Sequence, residues 1–372
     1  MSTHHPDAVS ADGHVLAERR GAIGLITLNR PGALNALSLP MVRDLTAVLL
    51  RWREDAGVAG VLVRGARREG KPPAFCAGGD IRFFHQAALA GDPRLEDFFT
   101  EEYALNHLIH RYPKPYIALM DGICMGGGMG ISQGAALRVV TEHSKVAMPE
   151  THIGLFPDVG GGWFLSRCPG HLGEYLALTG HVLGADDAIG AGLADLRVAA
   201  AQLPELTDAL CGLREPTADG VLAAARHFAE PVGGAPLDAH RAEIDACFSH
   251  GSLAAVDAAL QAAGTVFAQA TRQALAKRSP LMMAVTLEQV RRARQMTLAE
   301  DLRLERDLVR HCFRLRPGTA SETVEGIRAL AVDKDHSPRW NPPHIADVTP
   351  EMVAPFFDSP WPAHVHPLRA LD

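Results

Sequence analysis

Apolar and polar positions change their period along this 372-residue chain. In the first half, short apolar runs alternate with stretches of helical spacing. Residues 14–20 (HVLAERR) and 24–30 (GLITLNR) read as two strands joined by a tight turn at Gly21. Residues 60–66 (GVLVRGA), 116–122 (YIALMDG) and 137–143 (LRVVTEH) read as further strands. Between them, 39–55, 80–90, 93–112 and 126–136 carry helical patterns. Short apolar strands separated by helices predict a largely buried parallel sheet. From about Leu172 the chain turns Ala-rich. Helices are expected at 185–194, twice within 252–278, at 280–295 and at 298–315, the last two amphipathic. Pro and Gly cluster at 231–236 (PVGGAP), the best linker candidate. From His336 the chain is rich in Pro and Trp and is expected to pack as irregular structure.

The divisions expected are a loose tail at 1–12, a core at 13–200, a helical region at 201–335 and an irregular tail at 336–372. Apolar residues make up 47% of the chain, enough for a substantial core. The net charge of −7 argues against a nucleic-acid binder, which would be basic. No window reaches a membrane span, and the polar N-terminus has no apolar signal core. A cytosolic location with no membrane partner is therefore expected. The six cysteines form no CxxC pair and the 18 histidines no metal-ligand spacing, so reduced thiols and no metal are expected.

Three motifs bear on chemistry. In PPAFCAGGDIRFF (72–84) an apolar strand end runs into Gly78, Gly79 and Asp80, and then a helix that Asp80 is placed to cap. In DGICMGGGMGISQGAAL (121–137) three glycines open a helix after a strand. No Gly-Lys-Ser/Thr follows, and the third glycine of a dinucleotide fingerprint is replaced by Ile131. What remains is a pair of backbone donors for a developing oxyanion, although close helix–sheet packing would also ask for small residues here. In MPETHIGLFPDVGGGWF (148–164) two acids, Glu150 and Asp158, stand in an apolar, glycine-rich run. Singly, Glu150 reads as a helix-cap acid and Asp158 as a turn acid. Together they suit an acid–base or nucleophile pair.

AFCAGGDIR, GICMGGGMG and MPETHIGLFPDVGGG resemble the crotonase (enoyl-CoA hydratase/isomerase) superfamily, and its 3-hydroxyisobutyryl-CoA hydrolase branch in particular. The resemblance runs from 25–37 through 176–180 and resumes at 277–294 and 329–342, where DKDHSPRW is characteristic of that branch. Residues 195–250 match least. It implies an α/β fold, a crotonase-like ββα-repeat core with a helical C-terminal region. It implies that the amides of Gly79 and Gly127 hold a thioester carbonyl oxygen, and that Glu150 is the active-site carboxylate. Asp158 stands where hydratases commonly have glycine, and Gly130 where hydratases have a second glutamate. Both differences point from hydration to thioester hydrolysis.

In that reading Glu150 is either the nucleophile, through a transient anhydride, or the general base for water. Asp158 orients the substrate 3-hydroxyl or relays protons to the leaving thiolate, and Glu102 is a substrate-side acid. The substrate is an acyl-CoA, with coenzyme A a part of it and no separate cofactor. Arg64, Arg67, Arg68 and Lys71, with Lys277 and Arg278, are candidates for its phosphates. The rival readings are an enoyl-CoA hydratase or isomerase, and an acyl-CoA binder without turnover. Superfamily relatives form trimers or hexamers, but the long C-terminal region here is able to cover that surface, so a homo-oligomer is left open.

Overall fold

The computed structural model describes residues 6–9, 12–214 and 216–372. In chain order the strands are β1 (Pro6–Val9), β2 (Val15–Arg20), β3 (Ile23–Leu28), β4 (Gly60–Gly65), β5 (Ala74–Cys76), β6 (Tyr116–Met120), β7 (Ile123–Met125), β8 (Leu137–Val140), β9 (Lys145–Ala147) and β10 (Leu196–Arg197). The helices that matter below are α1 (Leu39–Glu54), α2 (Ile81–Ala90), α3 (Arg94–His110), α4 (Gly127–Gln133) and α5 (Gly161–Leu165). Later helices are named by range.

The chain divides into two compact units, each drawn from several segments. Unit 1 comprises the residues up to Gly79, Ala104–Val146 and Leu183–Pro236. Unit 2 comprises Asp80–Tyr103, Ala147–Val182 and Leu237–Asp372. The divisions expected from the sequence run consecutively, at 200 and 335; the compact units interleave instead. The expected linker at 231–236 does coincide with the point where the chain leaves unit 1.

Unit 1 holds a seven-stranded sheet in the order β1-β2-β3-β4-β6-β8-β10 and a three-stranded sheet in the order β5-β7-β9. β2 and β3 form the expected hairpin, turning at Gly21 with φ +62°. From β3 to β10 the pairing of the large sheet is parallel. β6, YIALM, is buried at every position, as a strand covered on both faces must be. Ser38 caps α1 by accepting from the Met41 amide, and α1 buries Leu45, Leu49 and Trp52 along one stripe. Of the loose tail expected at 1–12, residues 1–5 and 10–11 lie outside the described residues. Pro6–Val9 pairs antiparallel with β2 rather than hanging free.

Unit 2 is predominantly helical and includes Leu253–Ala263, Val266–Leu275, Pro280–Ala293 and Leu298–Arg314. These agree with the helical spacing to within a residue or two. Asp80 caps α2 through the Phe83 amide, as expected. Phe84 packs against Phe98 and Phe99 at ring separations of 4.8 and 4.9 Å, and Phe99 meets Phe313 at 5.9 Å. This aromatic cluster anchors α3 against Leu298–Arg314. The last segment has only short turns, with Phe356 and Leu368 buried.

Candidate active site

In unit 1 the two glycine turns stand side by side. β5 and β7 pair in parallel, Ala74 with Ile123 and Cys76 with Cys124, which brings the chain after Cys76 next to the chain after Cys124. Gly78 takes φ +115°, and a Cβ there would lie 3.8 Å from the Gly127 amide nitrogen. The Leu37 amide donates to the Gly78 carbonyl at 2.8 Å. This parallel pairing leaves the Gly79 amide turned away from Leu37. Gly127 is the first residue of α4, behind Gly126 at φ +50°, and no side chain caps the helix. The first amides of a helix lack intrahelical acceptors, so Gly127 is a donor by position. Gly128 is there for packing: a Cβ would come within 2.2 Å of the Cys76 carbonyl oxygen. Gly130 is buried and brings no carboxyl group.

Unit 2 holds the acids. Glu150 opens a 3-10 turn, Glu150–Ile153, behind Pro149. The turn is fastened from outside. The Thr323 hydroxyl donates to the Gly154 carbonyl at 2.6 Å, and the Ser279 amide donates to the Thr151 carbonyl at 3.2 Å. Asp158 follows Pro157 in a second turn, which the Gly161 amide closes onto the Asp158 carbonyl at 2.8 Å. Glu102 lies on α3. All three acids are buried, at 2% exposure for Glu102, 6% for Glu150 and 5% for Asp158. The Tyr103 hydroxyl donates to Asp158 Oδ2 at 2.8 Å. Glu102 Oε1 and Glu150 Oε2 are buried with no hydrogen-bond partner among the described residues.

Such groups are costly unless something else meets them. Burial pushes the Asp158 carboxyl up to about 6, opposed by the Tyr103 hydrogen bond. Burial, and then the Asp158 charge, push both Glu102 and Glu150 well above the ordinary carboxylate range. Tyr103 is pushed up for the same two reasons, so it stays a donor. Tyr103 went unnoticed in the sequence, since an aromatic residue on a buried helix looks like core. Its one signal is that it adjoins Glu102.

The basic candidates do not form one patch. Arg64 and Arg67 line a cleft of about 360 Å³ in unit 1 with Thr27, Pro204 and Thr207. Arg67 is engaged there by Asp121, and Arg64 Nε donates to the Thr27 hydroxyl at 3.1 Å. Arg68 and Lys71 line a different cleft of unit 1, about 190 Å³, with Pro31, Leu34, Pro72 and Ile123. Arg278 is not available to a phosphate. It is buried, and two of its nitrogens donate to the Thr179 carbonyl, at 2.6 and 3.0 Å. Lys277 is exposed. Cys76 and Cys124 are buried thiols outside any disulfide, and burial raises Cys124, which suits packing rather than nucleophilic attack. Among the described residues no group of His, Cys, Asp or Glu is arranged to hold a metal ion, and no helix is long and apolar enough to cross a membrane.

The enoyl-CoA hydratase/isomerase family model matches residues 23–357. The mitochondrial 3-hydroxyisobutyryl-CoA hydrolase of Rattus norvegicus is 41% identical over 364 residues, covering 96% of this chain and 91% of that protein. The Homo sapiens protein of the same name is 39% identical over 360 residues, covering 95% and 90%. Among solved structures, a carnitinyl-CoA dehydratase from Mycobacterium thermoresistibile superposes with a TM-score of 0.83 at 40% identity, over 93% of this chain and 96% of that one. An enoyl-CoA hydratase from Rhodobacter sphaeroides 2.4.1 gives 0.82 at 40%, over 92% and 97%. The cytosolic location expected from the sequence is corrected by these relatives, which are mitochondrial by name. The expectation rests on a polar, acidic N-terminus with neither an apolar signal core nor Arg-rich transit character, and the relatives' names overturn it. With the match spanning most of the chain, this protein belongs to the enoyl-CoA hydratase/isomerase family.

Proposed function

We propose that this chain hydrolyses the thioester of a short 3-hydroxyacyl-CoA, foremost 3-hydroxyisobutyryl-CoA, giving 3-hydroxyisobutyrate and CoA, a step of valine breakdown. The observation that carries the reading is the carboxyl set of unit 2. Glu102 and Glu150 each keep a buried oxygen unpartnered, and Asp158 accepts the Tyr103 hydroxyl. Hydratases of the family place two glutamates around one water, and position 130 offers glycine where the second would stand.

The amides of Gly79 and Gly127 take the thioester oxygen as it becomes an oxyanion. One preorganised donor of this kind contributes about 3 kcal/mol to the transition state. Glu150 supplies the electron pair. As nucleophile its carboxylate forms a C–O bond as the C–S bond breaks, and water then opens the anhydride. As general base it takes a proton from the water that attacks the carbonyl carbon. In both routes the sulfur leaves as thiolate and is protonated. Burial, and then the neighbouring Asp158 charge, make Glu150 a stronger base than an ordinary carboxylate. Asp158, ionised at neutral pH, accepts the substrate 3-hydroxyl, and Glu102 takes a polar group of the acyl portion. Arg68 and Lys71, in a cleft with apolar walls, suit the phosphates and adenine of coenzyme A better than Arg67, which Asp121 already neutralises.

Glu150→Gln tests the assignment of the base or nucleophile. Turnover of 3-hydroxyisobutyryl-CoA is expected to fall about 10²–10⁴-fold with substrate binding retained in calorimetry. Undiminished turnover would remove Glu150 from the mechanism. Binding by the wild-type chain without turnover would favour the acyl-CoA binder.

A further inference from the structure

Three buried residues of unit 2 have no part in the chemistry above, yet they surround the Asp158 turn. Glu305, fully buried on the helix Leu298–Arg314, accepts the Gly160 amide at 2.7 Å with one carboxyl oxygen and the Gly162 amide at 3.0 Å with the other. Asp301, one helical turn earlier, accepts the Trp163 amide at 2.8 Å. Gln289 Nε2 donates both to Glu305 Oε1 at 3.0 Å and to the Pro157 carbonyl at 2.7 Å. Backbone groups on both sides of Asp158 are thus gripped by side chains more than 120 residues away in sequence.

Two features make this grip more than packing. First, α5 has no side-chain cap of its own, so its leading amides need acceptors, and two carboxyl groups from another helix provide them. Second, Val159 takes φ +57° and Gly160 φ +87°. A β-branched residue holds a left-handed conformation only where its surroundings over-determine it. Here the over-determining contacts are those of Glu305 and Gln289, and the strained residue adjoins Asp158.

We infer that Glu305, braced by Gln289 and Asp301, is a positioning residue that sets where the Asp158 carboxylate stands, and so sets the preference for a substrate bearing a 3-hydroxyl. It touches no substrate and acts through the 157–163 turn. The inference rests on reading Asp158 as the acceptor of that hydroxyl. Glu305→Gln keeps the shape but turns one acceptor into a donor facing an amide. Gln289→Met removes the tie to Pro157 and serves as the second variant should the first fold poorly.

The experiment compares thiol release from 3-hydroxyisobutyryl-CoA and from isobutyryl-CoA, with peptide-level hydrogen exchange over 157–163. In both variants the wild-type preference for the 3-hydroxy substrate should fall about 3–10-fold, with inhibition by free CoA unchanged. Exchange over 157–163 should speed up at least 10-fold while flanking peptides keep their protection. Equal loss on both substrates, or an unchanged preference, overturns the positioning role. Unchanged exchange overturns the grip itself. A wild-type chain that releases no thiol from either substrate contradicts the proposed hydrolase activity instead, and the exchange result then still decides the grip.

Discussion

Two triple-glycine turns lead into two short helices in this chain, and they serve opposite ends. At Gly126-Gly127-Gly128 the glycines are dictated by backbone. Gly128 lies against the Cys76 carbonyl, and the amide of Gly127 opens α4 with no side chain to meet it. At Gly160-Gly161-Gly162 the leading amides are already taken, by Glu305 and, at Trp163, by Asp301. A Cβ at Gly162 would meet the Asp301 carboxyl at 2.5 Å and the Gln289 amide at 3.0 Å. The same residue pattern therefore leaves the Gly127 amide without a side-chain cap in one place and is held by distant carboxyl groups beside Asp158 in the other. What separates them is whether a distant helix supplies carboxylates, and not the glycine run.

Substitutions can break that contrast. Gly128→Ala is expected to have the largest effect. Its neighbour is backbone, which cannot swing aside, so α4 must lift from β5. The expectation is about 1–3 kcal/mol of stability by denaturant titration and a fall in thiol release of about 10²–10³-fold. A variant with wild-type turnover would show that the Gly127 amide is not a donor in the reaction.

Asp158→Asn comes next. It should cost about 10-fold in kcat/KM on 3-hydroxyisobutyryl-CoA, the worth of one hydrogen bond to a charged group, and far less on isobutyryl-CoA. Removing the Asp158 charge lowers Glu150, so the acidic limb of the kcat/KM profile should move to lower pH in the variant. Stability carries a second sign. A carboxyl raised in the fold from its ordinary 3.8 to about 6 binds more protons folded than unfolded, so its contribution is lost as pH rises from about 4 to about 6. The melting temperature of Asp158→Asn relative to wild type should accordingly climb across that window. A flat difference would mean that Asp158 is not raised.

Gly162→Ala sharpens the contrast from the other side. Its neighbours are side-chain ends, which yield more readily than backbone, so a loss of about 1 kcal/mol and a modest fall in turnover are expected, well short of Gly128→Ala. The smallest effects belong to the cations. Arg68→Ala or Lys71→Ala should raise KM by about 2–5-fold, in line with partly exposed charges, and Arg67→Ala by less, because Asp121 already holds it.

The parts of this picture that rest on local pattern were legible in the sequence. The buried strand YIALM, the Asp80 cap, the amphipathic helices at 280 and 298 and the two isolated acids all declare themselves within a dozen residues. The interleaving of the units did not, because it depends on which segments pack together after long excursions. The partners of Asp158 were hidden for the same reason. Glu305 and Asp301 sit on a helix whose charges suit a solvated face equally well, and only burial distinguishes them. The basic run at 64–71 shows the reverse error. Adjacent in sequence, its residues divide between two clefts, Arg64 and Arg67 lining one and Arg68 and Lys71 the other, as the chain leaves β4.

The most direct test gives the purified protein 3-hydroxyisobutyryl-CoA and crotonyl-CoA in parallel, following free thiol from the first and hydration of the second. Thiol release with little or no hydration is the predicted result, since position 130 lacks the second glutamate and the proposed reading makes Asp158 the acceptor of a 3-hydroxyl. Efficient hydration of crotonyl-CoA without thiol release would contradict it.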